Sequence, residues 1–156
     1  MMMPNPLKRF LGDPTHPAVV HFPLALYPAA VLFDVLALTH GDGSPYTRSA
    51  FILILAATTM AVVAAVTGFA ELVGISPESR AWRTAIAHMS VQLTAVTVLL
   101  VSLLLRLRHV DDARPPLAAF VLGVVGTLIL FVGGWLGGRM VFRHGVGVEA
   151  PDATNE

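Results

Sequence analysis

Apolar residues fall along this chain in four long runs, at about residues 17–38, 49–75, 84–105 and 116–142. The stretches THGDGSPYTR, SPESRAWR and RLRHVDDARP between them are short, polar and rich in turn formers. A hydrocarbon core of about 30 Å needs roughly 20 helical residues to cross it, and each run meets that length. Short connections force successive helices to run antiparallel. The pattern therefore predicts an all-α fold, a four-helix transmembrane bundle running up-down-up-down, as a single domain over residues 1–156. A soluble helical bundle would need polar outer faces, which the second and third runs lack.

Composition points the same way. The 156 residues are 55% hydrophobic and 13% charged, with a mean hydropathy of +0.72, whereas a soluble domain carries about 25% charged residues. The formal net charge is zero, so the basic excess that a nucleic-acid partner requires is missing and the expected partner is the lipid bilayer. The absence of cysteine excludes disulfides, c-type haem attachment and thiolate-held iron–sulfur clusters. The first run is too long and too interrupted by proline for a cleaved signal, so it is expected to remain as an anchor. Lys8, Arg9, Arg80, Arg83, Arg139 and Arg143 share the face of the termini, against Arg48, Arg106, Arg108 and Arg114 on the other. Six against four leans toward cytoplasmic termini.

Small residues mark the expected packing seams, because helices in lipid associate where backbones can approach closely. The fourth run offers Ala119, Gly123 and Thr127, then Gly133/Gly137 and Gly134/Gly138. The second offers Ala57, Ala61 and Ala65 and, one strip over, Ala64 and Gly68. These are read as intramolecular seams.

Because odd spans begin on the face where even spans end, His16, His21, His88 and His144 fall on one membrane face, and Glu71 joins them. Thr84, His88 and Gln92 follow at i, i+4, i+8, a polar stripe that should face the bundle interior. Glu71 closes a helix, where the dipole disfavours a carboxylate, so a cationic partner is expected from Arg80, Arg83 or a protonated histidine. In HPAVVHFPLALYP, Pro17 suits a first helical turn. Pro23 and Pro28 each remove a backbone hydrogen bond and should bend the entrance, aiming His21 toward His88. Trp82 reads as an interfacial residue. Trp135 is expected to pack on a neighbouring helix, with a roof over the histidines as the sharper form. Asp34 reads as an interfacial charge.

Three chemistries suit such a layer. Two facing histidines can ligate haem b, with His21, His88, His16 and His144 as the candidate ligands. The same four with Glu71 can instead hold a transition metal. A chain of imidazoles with Glu71 can relay protons or bind a quinone headgroup. Against all three stands an accessory subunit whose histidines only cap helices and hold loops. No nucleophile–base pair, phosphate loop or paired-carboxylate signature is present, so an enzyme acting on its own is not the expectation.

HPAVVHFPLAL, the early histidine of span three and GWLGGRMVFRHGVGV at the end resemble the bacterial membrane family called domain of unknown function 2231. The resemblance covers about residues 14–148, through His16, His21, Phe22, Pro23, His88, Gly134, Trp135, Gly137, Gly138, His144 and Gly145. It implies a four-helix integral membrane domain of the bacterial inner membrane with no assigned biochemical role. It also implies an electron-transfer setting, since relatives stand beside or fused to Rieske-type or cytochrome-c-like domains. This chain adds no such domain, so an electron partner is expected to be a separate protein. The reading carried forward is a one-sided histidine cluster serving a membrane redox process.

Overall fold

The computed structural model describes residues 15–148, and Lys8 and Arg9 lie outside that range. A short helix α1 (His16–Val19) leads into α2 (His21–Thr39), followed by α3 (Ser44–Leu72), α4 (Arg80–Arg106) and α5 (Leu117–His144). Counting α1 and α2 as one, four helices are long and apolar enough to cross a membrane. The break at Val20 has a local cause. Pro23 has no N–H to give the carbonyl of Val19, whereas Val20 and Leu24 still donate to His16 and Val20. Pro17 lies in the first turn of α1, and Pro28 sits inside α2 without ending it.

The remaining ends are set by capping. The Ser79 side chain accepts the backbone N–H of Trp82 at 3.1 Å and starts α4. Gly145, at φ 63°, stops α5 in the left-handed conformation that only glycine adopts cheaply. Gly145→Ala should therefore lower stability by about 1 kcal/mol, read as a drop in the detergent-solubilised melting temperature.

Helices α2 and α3 pack as one antiparallel pair and α4 and α5 as another; α2 also meets α5, and α3 meets α4. The core between them includes Tyr27, Ile54, Ala57, Ala95, Leu99 and Leu130. Large apolar side chains such as Leu32, Val66, Leu104 and Leu128 point outward, which suits a bundle solvated by lipid. Thr58 gives its proton to the Ile54 carbonyl (2.8 Å), so the buried Tyr27 hydroxyl is the donor to Thr58 at 3.0 Å.

Glycines of α5 receive side chains of α4. A Cβ on Gly137 would meet the His88 ring, one on Gly133 the Gln92 amide, one on Gly126 the Leu99 tip, and one on Gly123 Ser102 and Arg106. Each step up one helix matches an equal step down the other, which is an antiparallel register. The expected Gly133/Gly137 strip is thus a seam. Gly134 instead faces Leu24, and Gly138 has open space beside it. On α3, Ala57, Ala61 and Ala64 are buried, Gly68 packs under the His16 ring, and Ala65 faces outward.

Candidate functional site

The bundle has two polar ends separated by the apolar middle. At the first, His16 and His88 meet across the axis, ring centroids 6.3 Å apart and planes nearly perpendicular at 84°. Each imidazole is held by a neighbouring helix. His16 Nδ1 lies 2.8 Å from the Ala64 carbonyl and His88 Nδ1 lies 2.7 Å from the Gly133 carbonyl. A carbonyl only accepts, so both rings donate through Nδ1–H. That fixes the tautomer and leaves each Nε2 with its lone pair. Gly68 and Gly137 make room for these rings. A Cβ on Gly68 would lie 2.9 Å from the His16 ring, and one on Gly137 would lie 3.1 Å from that of His88.

Glu71 serves the same histidine from below. Its Oε1 accepts the backbone N–H of His16 at 3.2 Å, capping α1. Among the described residues no arginine or histidine side chain pairs with Glu71, so the expected cationic partner is replaced by a helix N-terminus, whose partial positive charge plays the same part. Gln92 lies one turn beyond His88 against Gly133, and its Oε1 is buried without a partner.

His144 stays one turn away, with Nε2 3.1 Å from the Thr84 hydroxyl. His21 does not turn toward His88. It is exposed, and its Nδ1 reaches only the Ala18 carbonyl at 3.4 Å. With the two histidines about 140° apart on a helix, an inward His16 leaves His21 facing out. Trp82 packs half-buried against Leu72, Ile75 and Ala85. Trp135 does not pack on a neighbouring helix: it is 62% exposed, with the Arg139 guanidinium 5.0 Å from its ring centre.

The second polar end overturns the reading of Asp34 as an interfacial charge. Asp34 is 0% and Arg106 1% exposed, joined by two bonds of 2.7 and 2.6 Å. Arg106 Nε approaches Ser102 Oγ at 3.4 Å, and Ser102 donates to the Ala119 carbonyl at 2.6 Å. The fork-to-fork geometry satisfies two donors and both carboxylate oxygens at once. A signal for it existed in the numbering. Asp34 follows His16, and Arg106 follows His88, by eighteen residues, which is about five full turns and about 27 Å. A histidine facing the interior therefore implies that the residue eighteen later faces it too.

A ring of four apolar helices, lipid-facing outside and polar at both inner ends, is an integral membrane protein. The chain belongs to the family described as "Predicted membrane protein (DUF2231)", which it matches over residues 12–150. No curated protein and no solved structure gives a significant match.

Proposed function

We propose that His16 and His88 form a cofactor site, holding haem b through their two Nε2 atoms, and that the protein takes part in one-electron transfer within the membrane. The observation behind this reading is the pair of Nδ1–H bonds to the Ala64 and Gly133 carbonyls. Histidine ligands to metals characteristically donate their other ring nitrogen in this way, which orients the ring and raises its basicity. With their Nδ1–H groups engaged and their ring centres 6.3 Å apart, His16 and His88 would be the residues to hold the haem iron.

With only two imidazoles brought together, the pair would suit a haem better than a closed four-ligand metal centre. Among the described residues no three His, Cys, Asp or Glu side chains gather as metal ligands, and His144 is engaged with Thr84. When bound, haem supplies a reversible one-electron couple. The protein's part is to hold the rings, through Gly68 and Gly137 below them and Glu71 behind α1, and to keep the pair within the bundle interior. The electron partner would be a separate cytochrome-like or Rieske-type protein. His21 and His144 are left as interfacial residues.

The rival reading, an accessory subunit with structural histidines, draws on the same two bonds, since they tie α1 to α3 and α4 to α5. Expression with haem supply and purification in detergent distinguishes them. The expected result is a Soret band that His16→Ala and His88→Ala each abolish and His21→Ala leaves unchanged. Colourless, metal-free protein would refute the cofactor reading. A colourless preparation with stoichiometric transition metal would replace haem by a metal ion.

We also infer that both termini face the cytoplasm. Arg106 is buried and drops out of the loop count, which leaves Arg48, Arg108 and Arg114 opposite Arg80, Arg83, Arg139 and Arg143. The chain has no cysteine to interfere, so single substitutions report directly. Gly41→Cys should react with a membrane-impermeant maleimide added outside cells and Ser76→Cys should not; the opposite pattern would invert the topology.

A further inference from the structure

Charge is handled differently at the two ends of the bundle. At the end of the α2–α3 and α4–α5 connections, arginines meet carboxylates, Arg48 with Asp111 and Arg106 with Asp34, and His109 Nδ1 lies 2.7 Å from Asp112. At the other end, Arg80, Arg83, Arg139 and Arg143 pair with no carboxylate among the described residues. The two acidic side chains described there are engaged elsewhere. Glu71 accepts the His16 N–H (3.2 Å). Glu78 accepts the Ser76 hydroxyl at 2.6 Å, a bond that holds its carboxyl below the usual range.

Arg139 and Arg143, four residues apart, share one face of α5, and Arg80 and Arg83 stand in the first turn of α4 at the same end. The contact of 3.1 Å between Thr84 and His144 ties the start of α4 to the end of α5. Arg80 and Arg83 precede Thr84 within a turn, Arg143 adjoins His144, and Arg139 lies one turn further in. At about 1.5 Å per residue, the 28 residues of α5 span about 42 Å, the thickness of a bilayer with its headgroups. Arg139 then stands about 8 Å inside the end of α5, near the boundary between headgroups and hydrocarbon, and Trp135 about 14 Å inside, in the outer hydrocarbon. There Trp135 faces lipid and carries the Arg139 guanidinium on its ring at 5.0 Å. Arg139 Nε is buried with no hydrogen-bond partner.

We propose that the Arg139/Arg143 face of α5 binds the phosphate of an anionic phospholipid headgroup. Guanidinium forks match phosphate oxygens, and Arg139 and Arg143, which pair with no carboxylate among the described residues, stand near the depth of those oxygens. The cation–π contact holds Arg139 at the lipid face instead of letting it extend into water. Acyl chains then run down α5 past Trp135, Val132 and Phe131, all of which face outward. At the far end Arg108 and Arg114 also lack a carboxylate partner among the described residues, but Asp34, Asp42, Asp111 and Asp112 balance the four arginines there in formal charge.

The test uses the full-length protein with Trp82→Phe, leaving Trp135 as the only tryptophan, in vesicles of phosphatidylcholine doped with brominated phosphatidylglycerol. Brominated phosphatidylcholine is the zwitterionic control, and inorganic phosphate the free-anion competitor. Trp135 fluorescence should be quenched by the anionic lipid with a preference of about tenfold over the control. Arg139→Gln/Arg143→Gln should remove the preference, Arg139→Lys should reduce it, and Arg108→Gln/Arg114→Gln at the far end should leave it intact. Circular dichroism of each variant establishes that it is folded, and the lysine variant preserves the charge should the double glutamine variant not fold. Equal quenching by both lipids, an unchanged preference in both Arg139 variants, or abolition by millimolar phosphate would each overturn the proposal.

Discussion

Arg106→Met should lower the unfolding free energy by about 3–5 kcal/mol, and Asp34→Asn should approach the same cost, because either change strands a partner in an interior that offers it no water. Arg106 is 1% and Asp34 0% exposed, and apart from the Ser102 hydroxyl each has only the other to satisfy its charge. The double variant Asp34→Leu/Arg106→Met should recover most of the loss, since an apolar pair of similar volume replaces both charges and removes their desolvation cost. Reversible unfolding in mixed detergent–SDS micelles, followed by circular dichroism, measures all three. Single variants within about 0.5 kcal/mol of wild type would show that the pair is not the buried contact described here.

The second large effect concerns the glycine seam. Gly126→Ala would put a Cβ 2.5 Å from Leu99 Cγ, and Gly133→Ala one 2.5 Å from the Gln92 side chain. Both force α4 and α5 apart or drive a packed side chain off its rotamer, for a loss of about 1–3 kcal/mol. Gly138→Ala meets nothing within 4 Å and should be neutral or stabilising by up to about 1 kcal/mol, as helix propensity dictates. The same unfolding assay ranks the three. A Gly138 variant as damaged as the other two would mean that glycine is needed along α5 for some reason other than close packing.

Gln92 adds a useful contrast to the histidine pair. Its buried Oε1 has no partner, so Gln92→Leu removes an unsatisfied acceptor of a kind that costs about 1–3 kcal/mol. A variant with raised stability would mark Gln92 as a residue retained against stability, in line with a polar group serving the neighbouring site.

The broad outline was legible from the chain because it depends on one-dimensional quantities. Run length against bilayer thickness gave four spans, and connection length gave their antiparallel order. Alternating direction put His16, His88, His144 and Glu71 at one end. The helix ends shifted by several residues where caps decided them. The helix following the first polar connection begins at Ser44, and α4 begins just after Ser79. Polar turn formers of those connections are equally at home in a first helical turn.

Apart from the Thr84, His88 and Gln92 stripe of span three, the chain did not convey the rotation of each helix about its own axis. His21, a turn deeper than His16, was the expected partner of His88, but the two histidines point about 140° apart. The small cradle at Gly68 selects His16. Trp135 and Gly134 occupy the same stretch of α5 as the seam glycines, and only the phase set by contact with α4 sends Trp135 to lipid while Gly133 and Gly137 face His88 and Gln92. Asp34 and Arg106 each read as a charge near a membrane surface until packing turned them toward one another. By itself the sequence determined the solvent, the number of crossings and the end at which each polar group lies, because hydrophobic length and helical rise fix depth. The tertiary structure decided which groups meet, because that depends on helix phase and on where glycines let two backbones close.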